Sequence, residues 1–319
     1  MKRYRYVLLS MLALSVVAAL IQPSFLSVNN LINIFRQASV LLLLCLGLTG
    51  VVISGNIDLS VGSVAALTGC VCAKLMISGH SIFLSMVLSL LIGIIAGACN
   101  GFLVGVLELP SFVSTYGVNM VASGIALIVM RGGIIYDLPA SFTALGIGYL
   151  GMVPVPIILS LILYLCLLLL WNYTVFGRNV YMIGKNKSAA VYSGVDQLGI
   201  LFKTFIISGL SASIGGIIMT ARLNAADAGM CDAYGLQIVA AVVVGGTSLL
   251  GGEGGVTGTV LGAVILTIIT NIMNMTGVAS AWQNLVLGVI IILLVFANSW
   301  SLERKKRTLS DSVLFCIKL

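Results

Sequence analysis

Residues 38–54, ASVLLLLCLGLTGVVIS, carry no charge, and similar stretches recur along the whole chain. Such a chain has to satisfy lipid rather than water, because crossing a hydrocarbon layer of roughly 30 Å as a helix takes about 20 predominantly apolar residues. Composition agrees: 60% of the 319 residues are hydrophobic and 8% are charged, against roughly 25% charged in soluble domains. The runs resolve into about ten spans at residues 6–21, 38–54, 59–77, 82–107, 112–130, 152–171, 204–222, 236–250, 256–275 and 282–298. The shorter ones fit a tilted, broken or re-entrant course. All five prolines, Pro23, Pro110, Pro139, Pro154 and Pro156, fall between spans or at their ends, where a missing N–H costs least. A transmembrane barrel would show alternation with period two, which these runs lack. The expected fold is all-α: a polytopic helical membrane protein forming a single transmembrane domain over residues 1–319.

The cations orient it. With an even number of passes, both termini and the loops on their side hold Lys2, Arg3, Arg5, Arg178, Lys185, Lys187, Lys203, Arg304, Lys305, Lys306, Arg307 and Lys318; the other side holds Arg36, Lys74, Arg131 and Arg222. Both termini are therefore expected in the cytoplasm. The net charge of +7 reads as this orientation signal, and no nucleic-acid partner is expected. The opening MKRYRYVLLSMLALSVVAAL reads as the first span rather than a cleaved secretory signal, since no small-residue cleavage site precedes IQPSF.

Few residues are available for chemistry. Cys45, Cys70, Cys72, Cys99 and Cys166 sit inside apolar runs, and Cys231 stands in a loop expected outside, so they read as packing residues rather than a disulfide frame. One histidine, His80, and nine acids spread along the chain suggest neither a catalytic nor a metal centre. A phosphate-cradling GxxxxGK[ST] motif is absent; the nearest string, IGKNKS, lacks its glycine spacing. No cofactor is expected on this chain, and if ATP drives it, another chain binds the ATP and magnesium.

Glycine shows how the helices associate. Gly93, Gly97, Gly101 and Gly105 recur every fourth residue and so lie on one helix face, letting a neighbouring backbone come close. Gly254, Gly258 and Gly262 repeat the device, and Ser208, Ala212 and Gly216 form a milder version. These stripes are expected to pack helices.

Polar residues within the apolar runs carry the opposite expectation. A carboxylate at the centre of a span costs about 2.5 to 3.5 kcal/mol on insertion scales. Asp58 stands in SGNIDLS, where Gly55 can relax the backbone, Asn56 and Ser60 can bond locally, and the carboxylate can cap the next helix. The chain is expected to stop one helix, turn on glycine and start another, leaving a break tolerated at membrane depth only inside protein or beside a water-filled cavity. A plain cytoplasmic turn is the alternative. A second stretch, AAVVVGGTSLLGGEGGVTG, likewise runs β-branched residues into glycines, so a parallel duplication is conceivable. Residues 172–203 are the only sizeable hydrophilic stretch of the interior. Within them KSAAVYSGV reads as a short helix ended by Gly194.

Four stretches, GNIDLSVGSVAAL, FGRNVYMIGKNKSAAVYSGV, AAVVVGGTSLLGGEGGVTGTVLGAVI and NLVLGVIIILLVF, taken in this order, resemble the monosaccharide (ribose/xylose/galactose-type) branch of the ABC-transporter inner-membrane permeases. The likeness runs from Phe25 to about Phe296. It implies a multi-pass subunit of a bacterial inner membrane that pairs with a second permease copy or a related permease, a cytoplasmic ATPase subunit and a periplasmic or extracellular sugar-binding protein. It also implies that the loop at about 172–203 engages the ATPase through Arg178, Gly184, Asn186, Ala189, Ala190 and Gly194. The chain departs from the family's usual pattern at Asn56, at Gly235 and Gln237, where an acidic pair is common, and at Glu253, where arginine is usual.

The expected activity is transport by alternating access, with Asn56, Asp58, Ser60, Asn100, Asn119 and Gln237 along a polar translocation path. Few charges beside many hydrogen-bonding groups suit a neutral polyhydroxyl solute. The alternatives are another small solute for the same kind of permease (an amino acid, a nucleoside or an autoinducer-type sugar) and an ion-coupled secondary transporter. The latter would need more intramembrane charge than Asp58 alone supplies. An integral-membrane enzyme would need a cluster of His, Cys or acids that is absent.

Overall fold

The computed structural model describes residues 5–279, 281–283, 285–290 and 292–293, without the side chains of Tyr6 and Ala233. Twelve helices carry the first unit, which ends at Thr276. They are α1 (Arg5–Ile21), α2 (Val28–Ile53), α3 (Val61–Ile77), α4 (Ile82–Gly101), α5 (Ser111–Met130), α6 (Ala140–Ile147), α7 (Val155–Tyr173), α8 (Val175–Lys185), α9 (Lys187–Tyr192), α10 (Gln197–Leu223), α11 (Gly235–Val244) and α12 (Val256–Met275). One turn of π-helix, Phe102–Val106, continues α4. Two-residue strands make two antiparallel pairs, β1 (Ile135–Tyr136) with the distant β4 (Ala225–Ala226) and, as a hairpin, β2 (Tyr149–Leu150) with β3 (Val153–Pro154). Residues from Gly277 onward form a second unit, whose described part is a short apolar helix at Ala281–Ile290.

Among the described residues, six helices are long and apolar enough to cross a membrane: α2, α4 with its π-turn, α5, α7, α10 and α12. The predicted span at 256–275 coincides with α12. Others move for physical reasons. The 38–54 span begins ten residues earlier as α2, at Val28, where the Ser27 side chain accepts the Asn30 N–H; Asn29, Asn30, Asn33, Arg36 and Gln37 lower the hydropathy of that first stretch without breaking its helix. The 204–222 span starts at Gln197, under an Asp196 cap. The 236–250 span shrinks to α11, whose ten residues reach only about 15 Å, because Gly246 turns left-handed at φ 86°. The 282–298 span and the terminal cations Lys2, Arg3, Arg304, Lys305, Lys306, Arg307 and Lys318 fall partly or wholly outside the described residues.

Helix α10 is the post on which the bundle is built, and small residues on its three faces explain why. Ser211 donates to Leu43 O at 2.5 Å and accepts from Gly47 N–H at 3.1 Å, which fastens α2. Gly216 and Thr220 face Ala65 and Gly69, seating α3 so closely that a methyl group at Gly216 would collide with the Ala65 carbonyl. Against the third face lies the predicted α4 stripe: side chains at Gly93 and Gly97 would strike the Gly209 and Phe205 carbonyl oxygens, and one at Gly101 would come within 2.8 Å of Phe202 Cα. Gly105 has ordinary room, 3.5 Å from Leu198 O. Of the Ser208, Ala212, Gly216 stripe, Gly216 meets α3 while Ser208 lies against Gly47 of α2. Gly258 and Gly262 press α12 onto α11, at Gly245 and Ala241. Gly254 lies in the turn before α12, against Thr247, so helix packing does not describe it.

Polar pairs tie the start of α2 to its neighbours. Asn30 and Asn271 exchange amide hydrogen bonds of 3.1 and 3.0 Å between α2 and α12, and Arg36 stacks over Tyr149 while donating to its hydroxyl. On this packing, Gly97→Leu should cost about 1–3 kcal/mol through overpacking and broaden the monodisperse peak in size-exclusion chromatography. Gly117, with nothing within 4 Å of an added methyl, should accept alanine without loss. Equal behaviour of the two variants would refute the close α4–α10 seat.

Candidate functional site

The two glycine-rich breaks meet in space. Helix α2 ends at Ser54, Gly55 reverses the chain at φ 82°, and residues 56–60 run without helical hydrogen bonds to the start of α3. The second break, between α11 and α12, places Gly252 so that its N–H donates to Ile53 O at 2.8 Å. Gly251 sits on Gly55, where an added methyl would come within 2.7 Å of the Gly55 nitrogen. Each break satisfies part of the other's backbone, which apolar surroundings require.

The hydrophilic segment closes over this junction. Helix α8 was not foreseen; its buried face carries Gly177, Val180 and Ile183, and Thr174 caps it. Gly184 lies against Ile53 O and the Gly252 nitrogen with no room for a side chain, and Tyr181 Oη donates to Gly254 O at 3.1 Å. Asn186 accepts the Ala189 N–H and so caps α9. Helix α9 ends as expected, with Gly194 left-handed at φ 80°. Ala190 is buried, whereas Arg178, Met182, Lys185, Ala189, Val191 and Tyr192 are exposed. Lys187 reaches Glu108 at 3.3 Å, linking α9 to the α4–α5 turn, where Glu108 itself is left-handed at φ 52°. A cavity of about 530 Å³ beneath is lined by Asn56, Glu108, Ser111 and residues 183–187.

A buried polar knot stands deeper in the protein. Asp58 is 2% exposed. Its Oδ1 accepts from Ser60 N–H at 3.0 Å, Ser60 Oγ at 2.6 Å and Asn100 Nδ2 at 3.3 Å; its Oδ2 accepts from Ser208 Oγ at 2.8 Å. Asn100 also donates to Ser60 Oγ at 2.7 Å. The expected capping role is corrected in detail: Ser60 occupies the cap position of α3 without a side-chain cap bond, and Asp58 holds the Ser60 amide from two residues upstream. Helix α5 braces the same segment, as Ser111 and Thr115 accept the Ile57 and Leu59 N–H groups at 3.2 and 3.1 Å.

Beside the knot lies a third feature, a cavity of about 320 Å³. Leu59, Gly62 and Ser63 line it from the start of α3, Tyr116, Asn119 and Ser123 from α5, and Cys231, Asp232, Gly235 and Leu236 from the turn into α11. Asn119 is near the middle of α5. The sequence-predicted path residues therefore separate: Asp58, Ser60 and Asn100 form the knot, Asn119 lines this cavity, Asn56 lines the lower one, and Gln237 is half-buried in the first turn of α11. Ser208, read only as a packing residue, joins the knot, and Tyr116, Ser123 and Asp232 were not foreseen. The i, i+3, i+7 spacing of Tyr116, Asn119 and Ser123 was the available signal.

Comparison with known proteins gives a consistent picture. The family described as "Branched-chain amino acid transport system / permease component" matches residues 30–295. The ribose import permease protein RbsC of Haemophilus influenzae is 34% identical, covering 92% of both chains. RbsC of Bacillus subtilis is 35% identical over 93% of this chain and 92% of its own. The D-allose transport system permease protein AlsC of Escherichia coli is 39% identical over 84% of this chain and 82% of its own. No solved structure matches significantly.

The knot predicts its own energetics. Asp58→Ala strands the Ser60 amide and the Asn100 and Ser208 donors, and each orphaned buried group costs about 1–3 kcal/mol. Its unfolding midpoint in detergent should fall well below that of Ser208→Ala, which removes one donor. Unchanged midpoints in both would show that the knot contributes nothing to stability.

Proposed function

Because the chain belongs to the branched-chain amino acid transport system / permease component family, we propose that it is the membrane-spanning subunit of an ATP-driven importer whose cargo is a monosaccharide. The observation that carries this reading is the likeness to ribose and D-allose permeases over most of the chain. The subunit makes about ten passes of a bacterial inner membrane with both termini in the cytoplasm, in keeping with the helix lengths and the cation bias. It binds no cofactor; ATP and magnesium belong to a separate ATPase chain. A second permease, identical or related, completes the pore, and an extracellular or periplasmic binding protein delivers the sugar.

The coupling surface is the exposed face of α8 and α9. Arg178 and Ala189 present themselves to the ATPase, Asn186 and Gly194 shape the ends of α9, Ala190 anchors it, and Gly184 seats the segment on both breaks. Movement of this segment is transmitted at once to α2 and α12, since Gly184 touches Ile53 O and Gly252, and to α5 through Lys187 and Glu108. The path follows the polar positions Asn56 and Asn119, with Asp58, Ser60 and Asn100 holding its wall and Gln237 beside it. Alternating access then needs only a difference in ATPase affinity between two arrangements of these helices.

Proteoliposomes should take up ribose or allose when the permease is combined with its ATPase, its binding protein and ATP, and should take up neither with the permease alone under any ion gradient. Gradient-driven uptake by the lone chain would overturn the reading. Ala189→Glu should abolish co-purification of the ATPase while leaving membrane insertion and Tm unchanged. It separates docking from folding better than a Gly194 substitution, which would strain a left-handed turn.

A further inference from the structure

Resting on the sugar-importer reading, we propose that the cavity between α3, α5 and residues 231–236 is where the permease itself touches its cargo, and that Asn119, Ser123 and Asp232 are the groups that hold a single neutral monosaccharide there.

Hydrogen-bond bookkeeping singles out these residues. Many serine and threonine hydroxyls elsewhere in the helices are committed to their own backbone, as Ser89 is to Ser85 O, Thr204 to Ile200 O, Ser213 to Gly209 O, Thr220 to Gly216 O and Thr267 to Ala263 O. The Asp58 carboxylate has both oxygens engaged, and the one unpartnered atom of its knot, Asn100 Oδ1, is buried away from this cavity. Among the described residues, the side chains of Tyr116, Asn119, Ser123 and Asp232 have no hydrogen-bond partner within the chain, and all four line one cavity. Asn119 and Ser123 are half-buried on the wall of this space and Tyr116 and Asp232 are exposed at it, so all four are free to bond to water or to a ligand that enters.

Their chemistry specifies the ligand. Asn119 donates and accepts, Ser123 does both through one hydroxyl, and Asp232 accepts from hydroxyl groups, two adjacent ones included. Tyr116 adds a ring face for an apolar sugar surface. No lining residue is a cation, and the lone carboxylate repels a sugar acid or sugar phosphate. The volume of about 320 Å³ is near the lower end of ligand pockets, roughly 300–1,000 Å³, and fits one ring better than a chain of them. Gly62 brings α3 close to the far wall, where an added methyl group would come within 3.3 Å of Cys231 O.

The test uses proteoliposomes of the whole importer with D-ribose and D-allose as probes. Asn119→Ala, Ser123→Ala and Asp232→Asn should each lower the sugar moved per ATP hydrolysed, by about tenfold for the carboxylate, while ATPase co-purification, Tm and stimulation of ATP hydrolysis by the loaded binding protein stay within about twofold. In a second measurement, Ser123→Cys should react with a small charged methanethiosulfonate reagent and be slowed by either sugar during turnover. Unaltered coupling in all three variants, or an unreactive cysteine, would overturn the assignment while leaving the importer reading intact. A wild-type complex that assembles and hydrolyses ATP but moves neither sugar would overturn that reading, and the inference with it.

Discussion

A helix that stops inside lipid leaves carbonyl and amide groups with no water to bond, so a broken helix survives only where other protein supplies the partners. This chain has two breaks between apolar helices, and each serves the other. Ile53 O, at the end of α2, receives the Gly252 amide of the second break. The glycines on both sides allow that approach: at Gly55, Gly251 and Gly252 the backbone is left-handed, a region a β-carbon disfavours. Thr115 and Ser111 then accept the extended residues between Gly55 and α3, and Asp58 draws the segment onto α4 and α10. The break is thus surrounded on three sides by polar atoms belonging to other helices.

The same small-residue logic builds the rest of the bundle. Among apolar helices in lipid there is little hydrophobic gain in association, and close backbone contact takes its place. Helix α10 offers glycine, serine or threonine on each of three faces, and α2, α3 and α4 each press a glycine or alanine against it. Its packing surface and its hydrogen-bonding surface are one, since Ser208 and Ser211 lie among the glycines while bonding to Asp58 and Leu43. A rigid post with bonded neighbours on three sides gives the moving parts something to move against.

Much of this was legible in the sequence, and the exceptions follow from physics that a linear reading omits. The Gly93, Gly97 and Gly101 stripe, the glycine turn at Gly55, the short helix before Gly194 and the family resemblance were all readable, because they depend on local spacing. The polar start of α2 was missed because backbone hydrogen bonding tolerates asparagine and arginine that a hydropathy window rejects. Helix α8 was missed because its apolar face is narrow and lies among charged residues. The path residues were grouped by polarity alone. Whether a polar side chain is already bonded is a tertiary property, and it separates Asp58, both of whose oxygens are engaged, from Asn119 and Ser123, which have no partner within the described residues.

Under the importer reading proposed above, that separation bears on how motion of α8 and α9 would reach the solute. Helix α5 is the element common to everything that has to move together: its first residue follows the turn that Lys187 grips through Glu108, its first full turn bonds Ile57 and Leu59, and its middle lines the cavity with Asn119 and Ser123. In that reading a shift of α9 that carried Glu108 with it would tilt α5, and because Leu59 lies on the cavity wall and is bonded to Thr115, both sides of the space would change together. The knot ties the start of α3 to α4 and α10, and in the same reading it would serve as the fulcrum. A carboxylate with both oxygens occupied suits that task, since a fulcrum that also bound cargo would loosen each time the cargo arrived.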